Sequence, residues 1–258
     1  AGVLLAPNPG PMTLDGTNTW LLRDPASESA IVVDPGPLIE NHLQAVAAHG
    51  PVAVILLTHG HYDHSEGAAR LAELTGAPVR ALDPRHRLGD EGLTDGDVVA
   101  AAGLEVRVAH TPGHSSDSLS FVLPDAVLTG DTILGRGTTV VAHPDGVLAD
   151  YLASLQRLRD LGHVAVLPGH GPELPDAQAA AQHYLDHREQ RLEQVRAAVA
   201  AGAGTPRQVV EVVRRCHESF EVGEDGDQAS ACHGRCDDGA GVGNGGHGRP
   251  GAAWRRCQ

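Results

Sequence analysis

Short apolar runs alternate with polar turns rich in glycine and proline along the first 170 residues of the chain. Runs of this kind, bounded by turn residues, are typical of strands. The predicted strands are residues 18–23, 29–34, 52–57, 104–109, 118–123, 126–128 and 164–167. Their spacing leaves room for helices between several of them.

Three segments between these strands carry apolar residues at helical spacing, which predicts helices over residues 38–49, 65–75 and 146–161. A longer helix is predicted at about residues 176–200, and a short helical run at 208–213. Strands interleaved with helices of this length indicate a layered α/β architecture.

The character of the sequence changes after Arg215. Residues 216–258 are rich in glycine and charge and hold few sizeable apolar residues, so they cannot form a core, and we expect disorder. Such a switch inside a periodic helix is also typical of out-of-frame translation of GC-rich DNA, a hypothesis that resequencing would test. The predicted organisation is therefore residues 1–200, a short element at 201–215 and a tail at 216–258.

The composition places further limits on function. No apolar run approaches the ~20 residues that cross a bilayer, and the first residues carry no visible signal peptide, so we expect a cytoplasmic protein without a membrane partner. Acidic residues outnumber basic ones 33 to 19, for a formal net charge of −14. This charge disfavours tight binding of a polyanion. The sequence does not indicate an oligomeric state.

Histidine and aspartate, residue types that commonly bind metals, occur where four predicted strands end. Strand 52–57 runs into THGHYDH (58–64), strand 104–109 into HTPGH (110–114), strand 126–128 into TGD (129–131) and strand 164–167 into PGH (168–170). Because ligands bind at the carboxyl ends of strands in α/β sheets, we expect these side chains to meet in one site.

The densest of these segments is His59-x-His61-x-Asp63-His64. Two histidines two residues apart, on a chain leaving a strand, can point toward one ion, whereas the adjacent Asp63 and His64 serve a second ion better. Imidazole and carboxylate ligands without thiolate suit zinc, with manganese and iron as alternatives. His114, Asp131 and His170 are the further ligand candidates.

These motifs, THGHYDH, TPGH (111–114), GDT (130–132) and PGHG (168–171), resemble the metallo-β-lactamase superfamily in order and spacing. The resemblance implies an αββα sandwich, in which two mixed sheets lie face to face with helices outside. It also implies which residues hold each ion of a dinuclear zinc site. His59, His61 and His114 would hold one ion, Asp63, His64 and His170 the other, and Asp131 would bridge them.

The resemblance further implies a hydrolase in which a metal-bridging hydroxide attacks the substrate. Asp63 and Asp131 are the predicted catalytic residues, with Asp63 orienting the hydroxide. His143 is a weak candidate for the general acid that protonates the leaving group. Residues 1–200 would be the catalytic domain.

Within the superfamily, NPGPMTLDGTNTWLL (8–22) and HYLDHREQRLEQV (183–195) are similar to a β-lactamase-like branch typified by a mitochondrial single-strand endoribonuclease. In that branch a winged-helix-like C-terminal domain follows the long helix, and residues 201–215 look like its beginning. The substrate stays open between a small ester, thioester or lactone and a phosphodiester such as single-stranded RNA. The alternative function is a mononuclear iron dioxygenase on the same scaffold.

Overall fold

The computed structural model describes residues 1–221, with the side chains of residues 1–214. The chain divides into two compact units, Ala1–Gln190 and Arg191–Gln258. All described strands and all predicted site residues lie in the first unit.

The first sheet is mixed and has five strands. In spatial order they are β1 (Gly2–Leu5), β2 (Asn18–Leu22), β3 (Ala30–Val33), β4 (Val52–Leu56) and β5 (Val79–Arg80). The first three strands pair antiparallel, and β3, β4 and β5 pair parallel.

The second sheet is also mixed and also has five strands. They are β6 (Val98–Ala101), β7 (Leu104–His110), β8 (Leu119–Val122), β9 (Ala126–Gly130) and β10 (Ala165–Pro168), in the spatial order β10-β9-β8-β7-β6. Only the β9–β10 pair is parallel; the other neighbours are antiparallel.

Six α-helices occur in the described residues. They are α1 (Glu40–Ala47), α2 (Tyr62–Ser65), α3 (Ala68–Thr75), α4 (Leu148–Arg159), α5 (Ala177–Ala200) and α6 (Pro206–Glu221). The boundary between the two units lies within α5.

The alternation of side chains along the strands explains the four layers of the first unit. On β3, Ile31 and Val33 pack between the two sheets, in the same cluster as Phe121 of β8. Val32 points the other way and packs with Leu43 of α1, as the two-residue period of a strand requires. A third cluster joins β9 and β10 to α4 and α5. The order is helix, sheet, sheet, helix, and the predicted αββα fold is confirmed.

All seven predicted strands are present, with bounds that differ by a few residues. Three strands were not predicted. β1 and β6 are edge strands with largely exposed side chains, and β5 has only two residues, so none of the three shows a periodic apolar run.

The predicted helix over residues 65–75 is divided in the structure into α2 and α3, with Gly67 between them. A Cβ at Gly67 would lie 2.7 Å from Leu43 Cδ2 and 2.9 Å from the carbonyl oxygen of Gly36. The chain therefore bends where only glycine allows α1 and the preceding loop to approach.

The second unit contains, among its described residues, the end of α5 and α6, in which Ala198 and Val213 are buried. The predicted short run at 208–213 lies inside α6, which extends to Glu221. The predicted boundaries at 200 and 215 stay predictions, and most of the predicted tail, residues 222–258, lies outside the described residues. In the part of the chain that is described, no helix has the length and apolarity to cross a membrane.

Candidate metal centre

The loops that follow four strands bring all seven predicted ligands together at one edge of the sandwich. Their nitrogen and oxygen atoms form three groups, and the atoms of each group lie within 4.8 Å of one another. The groups are His59, His61 and His114; His59, His64 and Asp131; and Asp63, His64 and His170.

The first group of donors centres on Nδ1 of His61. This atom lies 3.0 Å from Nε2 of His59 and 3.0 Å from Nε2 of His114. His59 and His114 are buried, whereas His61 is exposed at the rim of the site. The three nitrogens form one face that opens toward solvent on the His61 side.

The second group lies deeper in the fold. Nε2 of His64 and Nε2 of His170 are 3.2 Å apart, and both histidines are fully buried. Oδ2 of Asp63 lies 3.1 Å from Nε2 of His170 and 3.5 Å from Nε2 of His64.

Asp131 lies between the two groups. Its Oδ1 is 3.4 Å from Nε2 of His64, and its Oδ2 is 3.5 Å from Nε2 of His170 and 3.7 Å from Nε2 of His114. Oδ1 is buried and makes no hydrogen bond to any described residue. A buried carboxylate oxygen without a hydrogen-bond partner is typical of an atom that binds a cation.

Hydrogen bonds from the other ring nitrogen orient four of the histidines. The Nδ1 atoms of His64, His170 and His114 lie 2.9 Å from Oδ2 of Asp34, 3.0 Å from the carbonyl oxygen of Gly16 and 2.8 Å from the carbonyl oxygen of Val140. These oxygens only accept, so each Nδ1 carries a hydrogen, and in the neutral ring each Nε2 keeps a free lone pair.

His59 has the same arrangement through Thr58. The Thr58 hydroxyl donates to Oδ2 of Asp34 at 2.6 Å and therefore accepts from Nδ1 of His59 at 3.0 Å. Partners of this kind, which fix the tautomer and ring orientation, are typical of histidines that bind metals.

The arrangement of the donors fits a pair of divalent ions. Ring nitrogens of neighbouring histidines face each other at 3.0 to 3.2 Å, an arrangement that a cation between them would stabilise. A tetrahedral ion with nitrogens at its usual bond length holds its ligand atoms about 3.3 Å apart, and the donor contacts described above are 3.0 to 3.7 Å long. The predicted ligand set is therefore consistent with the geometry, and its metal-binding role stays a prediction.

The charges in the centre shift the pKa values of its groups. Burial lowers the pKa of His59 well below its usual range. Burial acts in the same direction on His64 and His170, but the neighbouring carboxylates outweigh it; Asp131 and Asp34 raise the pKa of His64, and Asp131 and Asp63 raise that of His170 to about 9. The cationic partners in turn hold the pKa of Asp131 well below its ordinary value despite burial.

Asp34 is a functional residue that the sequence reasoning missed. It follows β3, and its Oδ1 accepts a hydrogen bond from the backbone N–H of Thr58 at 2.8 Å. Its Oδ2 accepts hydrogen bonds from the Thr58 hydroxyl and from Nδ1 of His64. Its φ of 51° lies in the left-handed region, which aspartate tolerates better than most residues. Its position could have identified it, because Asp34, like the predicted ligands, stands at the end of an apolar strand beside a Pro-Gly turn.

Gly169 allows the close approach of β10 to the centre. A Cβ at this position would lie 2.6 Å from Oδ1 of Asp131 and 2.7 Å from Cε1 of His64. The PGHG motif therefore needs glycine for space beside the predicted ligand His170.

Residues 131–140, here called the Asp131 segment, are held in place by side chains of α4 and α5. Tyr151 donates its hydroxyl hydrogen to the carbonyl oxygen of Thr132 at 2.8 Å, and Tyr184 bonds both backbone groups of Leu134. Arg188, whose guanidinium lies 5.2 Å from the centre of the Tyr151 ring, donates to the carbonyl oxygen of Thr139. The Thr139 hydroxyl donates to the carbonyl oxygen of Asp131.

A cavity of about 220 Å³ adjoins the centre, and His114 and Asp131 are among the residues that line it. The residues after β1 and the Asp131 segment form its walls, which include Pro11, Met12, Leu14, Leu134, Arg136, Thr138 and Val140. His143, the predicted general acid, is exposed and belongs to none of the three donor groups.

Comparison with known proteins gives the same picture. The sequence profile described as "Metallo-beta-lactamase superfamily" matches residues 12–170. The chain is 34% identical over 234 residues to an atrochrysone carboxyl ACP thioesterase of Aspergillus fumigatus, covering 81% of this chain and 72% of that protein. It is 34% identical over 207 residues to the beta-lactamase-like protein 2 homolog of Caenorhabditis elegans, covering 74% and 68%.

Among solved structures, the protein TTHA1623 in a di-iron-bound form superposes with a TM-score of 0.57 at 28% identity, covering 70% of this chain and 97% of that one. The resemblance found in the motifs is thus confirmed by whole-domain similarity.

Proposed function

Because the chain belongs to the metallo-β-lactamase superfamily and is a hydrolase of that family, we propose that it binds two zinc ions and cleaves an ester or thioester of a carboxylic acid. The observation that carries the proposal is the presence of two three-residue donor groups, with Asp131 within 3.7 Å of histidines from both. The relative in a di-iron-bound form supports a site for two ions, although of another metal.

The proposed ligand assignment follows the two groups of donors. His59 and His114 hold the first ion through Nε2, and His61 holds it through Nδ1. Asp63, His64 and His170 hold the second ion, and Asp131, whose oxygens lie within 3.7 Å of Nε2 of His64, His170 and His114, contributes to both. When bound, the ions would lower the pKa of a water molecule held between them and polarise the substrate carbonyl.

Asp63 differs from Asp131 in a way that suits the orienting role predicted for it. The Asp63 side chain is 27% exposed, against 11% for Asp131. Asp63 therefore has an oxygen accessible from the cleft, where it can accept a hydrogen bond from the attacking water and aim its lone pair at the substrate. Asp131, enclosed by three histidines, keeps the two groups of donors together.

The walls of the centre favour a carboxylic ester or thioester over RNA. The cavity lined by His114, Asp131 and the residues after β1 is here called the acyl-side cavity, and Arg136 is the one arginine or lysine among its described lining residues. Arg136 is already paired with Asp15, and the formal charge of the chain is −14. A polyanion would find few free cations to neutralise its phosphates. One similar protein is named as a thioesterase, which supports the same choice.

The proposal is tested on the purified full chain by metal analysis and by a substrate panel of neutral thioesters, esters, lactones and labelled single-stranded RNA. We expect close to two zinc ions per chain and hydrolysis of a thioester or ester. One iron per chain with no hydrolysis would instead support the dioxygenase alternative, and cleavage of RNA alone would reject the substrate class.

A variant pair separates the role of Asp63 from a general effect of losing a carboxylate. Asp63→Asn should lower kcat by at least about 100-fold, whereas Asp186→Asn, on the exposed face of α5, should leave it unchanged. Wild-type turnover and metal content in Asp63→Asn would refute the role.

A further inference from the structure

The acyl-side cavity is small and shares two lining residues with the metal centre. Its volume is about 220 Å³, which is below the range of about 300–1,000 Å³ that holds drug-sized ligands. Because His114 and Asp131 line both the centre and this cavity, we expect the acyl group of a carbonyl substrate bound at the centre to lie in the cavity. The occupant is therefore a small group attached directly to the reacting carbonyl.

The walls of this cavity are largely apolar and accessible. Met12 is 62% exposed and Val140 is 47% exposed, and both line the cavity together with Pro11, Leu14 and Leu134. A ligand that covers exposed apolar side chains removes them from water, and this burial stabilises the complex. This surface suits a hydrocarbon chain.

A single charged residue of the outer wall, Arg136, would be the natural partner of a substrate carboxylate. Its Nη1 lies 2.8 Å from Oδ2 of Asp15, and its Nη2 lies 2.9 Å from Oδ1 of the same residue. This pairing occupies the Nη1–Nη2 edge of the guanidinium, one of the two edges that can bind a carboxylate in bidentate fashion. A substrate carboxylate at this edge would have to displace Asp15 and would gain little from the exchange.

We propose that the acyl-side cavity selects a short, uncharged acyl chain, and that Asp15 enforces this selection by holding Arg136 in an ion pair. The inference rests on the proposed hydrolysis of esters or thioesters and names the acyl group that the site accepts. Met12 and Val140 contact the chain, and the Asp15–Arg136 pair excludes acyl groups that end in a carboxylate.

The test compares three thioesters with one neutral leaving group, N-acetylcysteamine, so that only the acyl group varies. For the wild-type protein we expect kcat/KM to be higher for hexanoyl than for acetyl or succinyl. Met12→Ala should lower the hexanoyl value about fivefold and leave the acetyl value within a factor of two, because it removes apolar contact along the chain. Val98→Ala, on the exposed edge strand β6, is the matched control and should change neither value.

Asp15→Ala tests the ion pair. Removal of Asp15 frees Arg136, and the ratio of succinyl to hexanoyl kcat/KM should rise about fivefold. The double variant Asp15→Ala, Arg136→Gln should lose this gain. Calorimetric titration of the metal-loaded protein with hexanoate and with succinate provides a readout apart from turnover, in which Asp15→Ala should strengthen succinate binding only.

The possible failures can be told apart. A wild-type protein that hydrolyses thioesters but prefers succinyl, or an Asp15→Ala variant with an unchanged ratio, overturns this inference and leaves the proposed function standing. A wild-type protein that cleaves neither thioesters nor esters overturns the proposed function and this inference with it.

Discussion

The inner half of the metal centre, formed by His64 and His170, and the walls of the acyl-side cavity differ in burial and in the number of their hydrogen-bond partners. His64 and His170 are fully buried, and the nitrogen of each that does not face the centre is fixed by a hydrogen bond to Asp34 or to a backbone carbonyl. Met12 and Arg136, on the cavity wall, are exposed, and the Arg136 side chain forms an ion pair with Asp15, which is also exposed.

This difference separates the parts of the protein that fix chemistry from the parts that fix selectivity. Buried groups with several partners cannot move without leaving a polar atom unpaired, which is costly. Exposed groups can change at little expense to the fold. We therefore expect substitutions in the inner half to reduce metal binding and turnover together, and substitutions on the wall to change the preferred substrate.

The largest effect is expected from the carboxylate that the two donor groups share. Asp131→Ala should reduce bound zinc below two ions per chain and lower kcat/KM by more than about 100-fold, beyond what removal of an outer partner causes. Elemental analysis and steady-state kinetics measure both quantities. Retention of two ions with normal turnover would contradict the bridging assignment.

A smaller loss is expected one layer out, at Asp34. Asp34→Asn keeps the shape of the side chain and tolerates the positive φ, but its amide replaces one acceptor oxygen by a donor, so the hydrogen bonds from Thr58 and His64 cannot all be kept. Zinc affinity, measured by competition with a chelator, should fall about 10–100-fold. Unchanged affinity in a folded Asp34→Asn protein would show that His64 does not need this partner.

A moderate effect on stability is expected from the support behind the Asp131 segment. Arg188→Lys loses the planar group that lies over Tyr151 and donates to Thr139, so the free energy of unfolding should fall by about 1–2 kcal/mol. Urea denaturation measures it. Arg85→Lys, whose side chain is 84% exposed, is the control and should match the wild type.

The smallest effect concerns His42, a buried histidine outside the metal centre whose Nε2 lies 2.9 Å from the Thr19 hydroxyl. Burial lowers the pKa of His42 below the ordinary value of 6.5. Its contribution to stability is therefore fully present above that value and is lost as the pH falls toward the lower pKa of the folded protein.

His42→Gln should consequently lose less stability than the wild type between pH 7.5 and pH 5. Urea denaturation at each pH gives the two curves, and parallel curves would contradict the prediction. Comparing each variant with the wild type cancels the titration of the histidines in the metal centre.

The sequence predicted the parts of the molecule that repeat a local pattern. Each of the four ligand segments stands directly after an apolar strand, so the strand pattern and the motifs together placed all seven donors. The same reasoning missed β1 and β6, whose exposed side chains lack the pattern, and Asp34, which stands alone after its strand.

The supports of the centre could not be predicted because they join residues far apart in the chain. Arg188 meets Thr139, Tyr184 meets Leu134, and His170 meets Gly16, over separations of 49, 50 and 154 residues. A local sequence pattern does not reveal such pairs. Several of them also involve backbone carbonyl groups, which every residue possesses and which therefore leave no trace in the sequence. The cavity walls were missed for the same reason, since Met12 and Val140 are adjacent only in the folded chain.

The carbonyl of Val140 has a consequence for how this protein can diversify. His114 is oriented by the main-chain oxygen at position 140, while Val140, with an exposed isopropyl group, also lines the cavity. Mutation can replace that isopropyl group without removing the oxygen. A lineage can thus explore new substrates at this position while its hydrolytic apparatus is inherited intact.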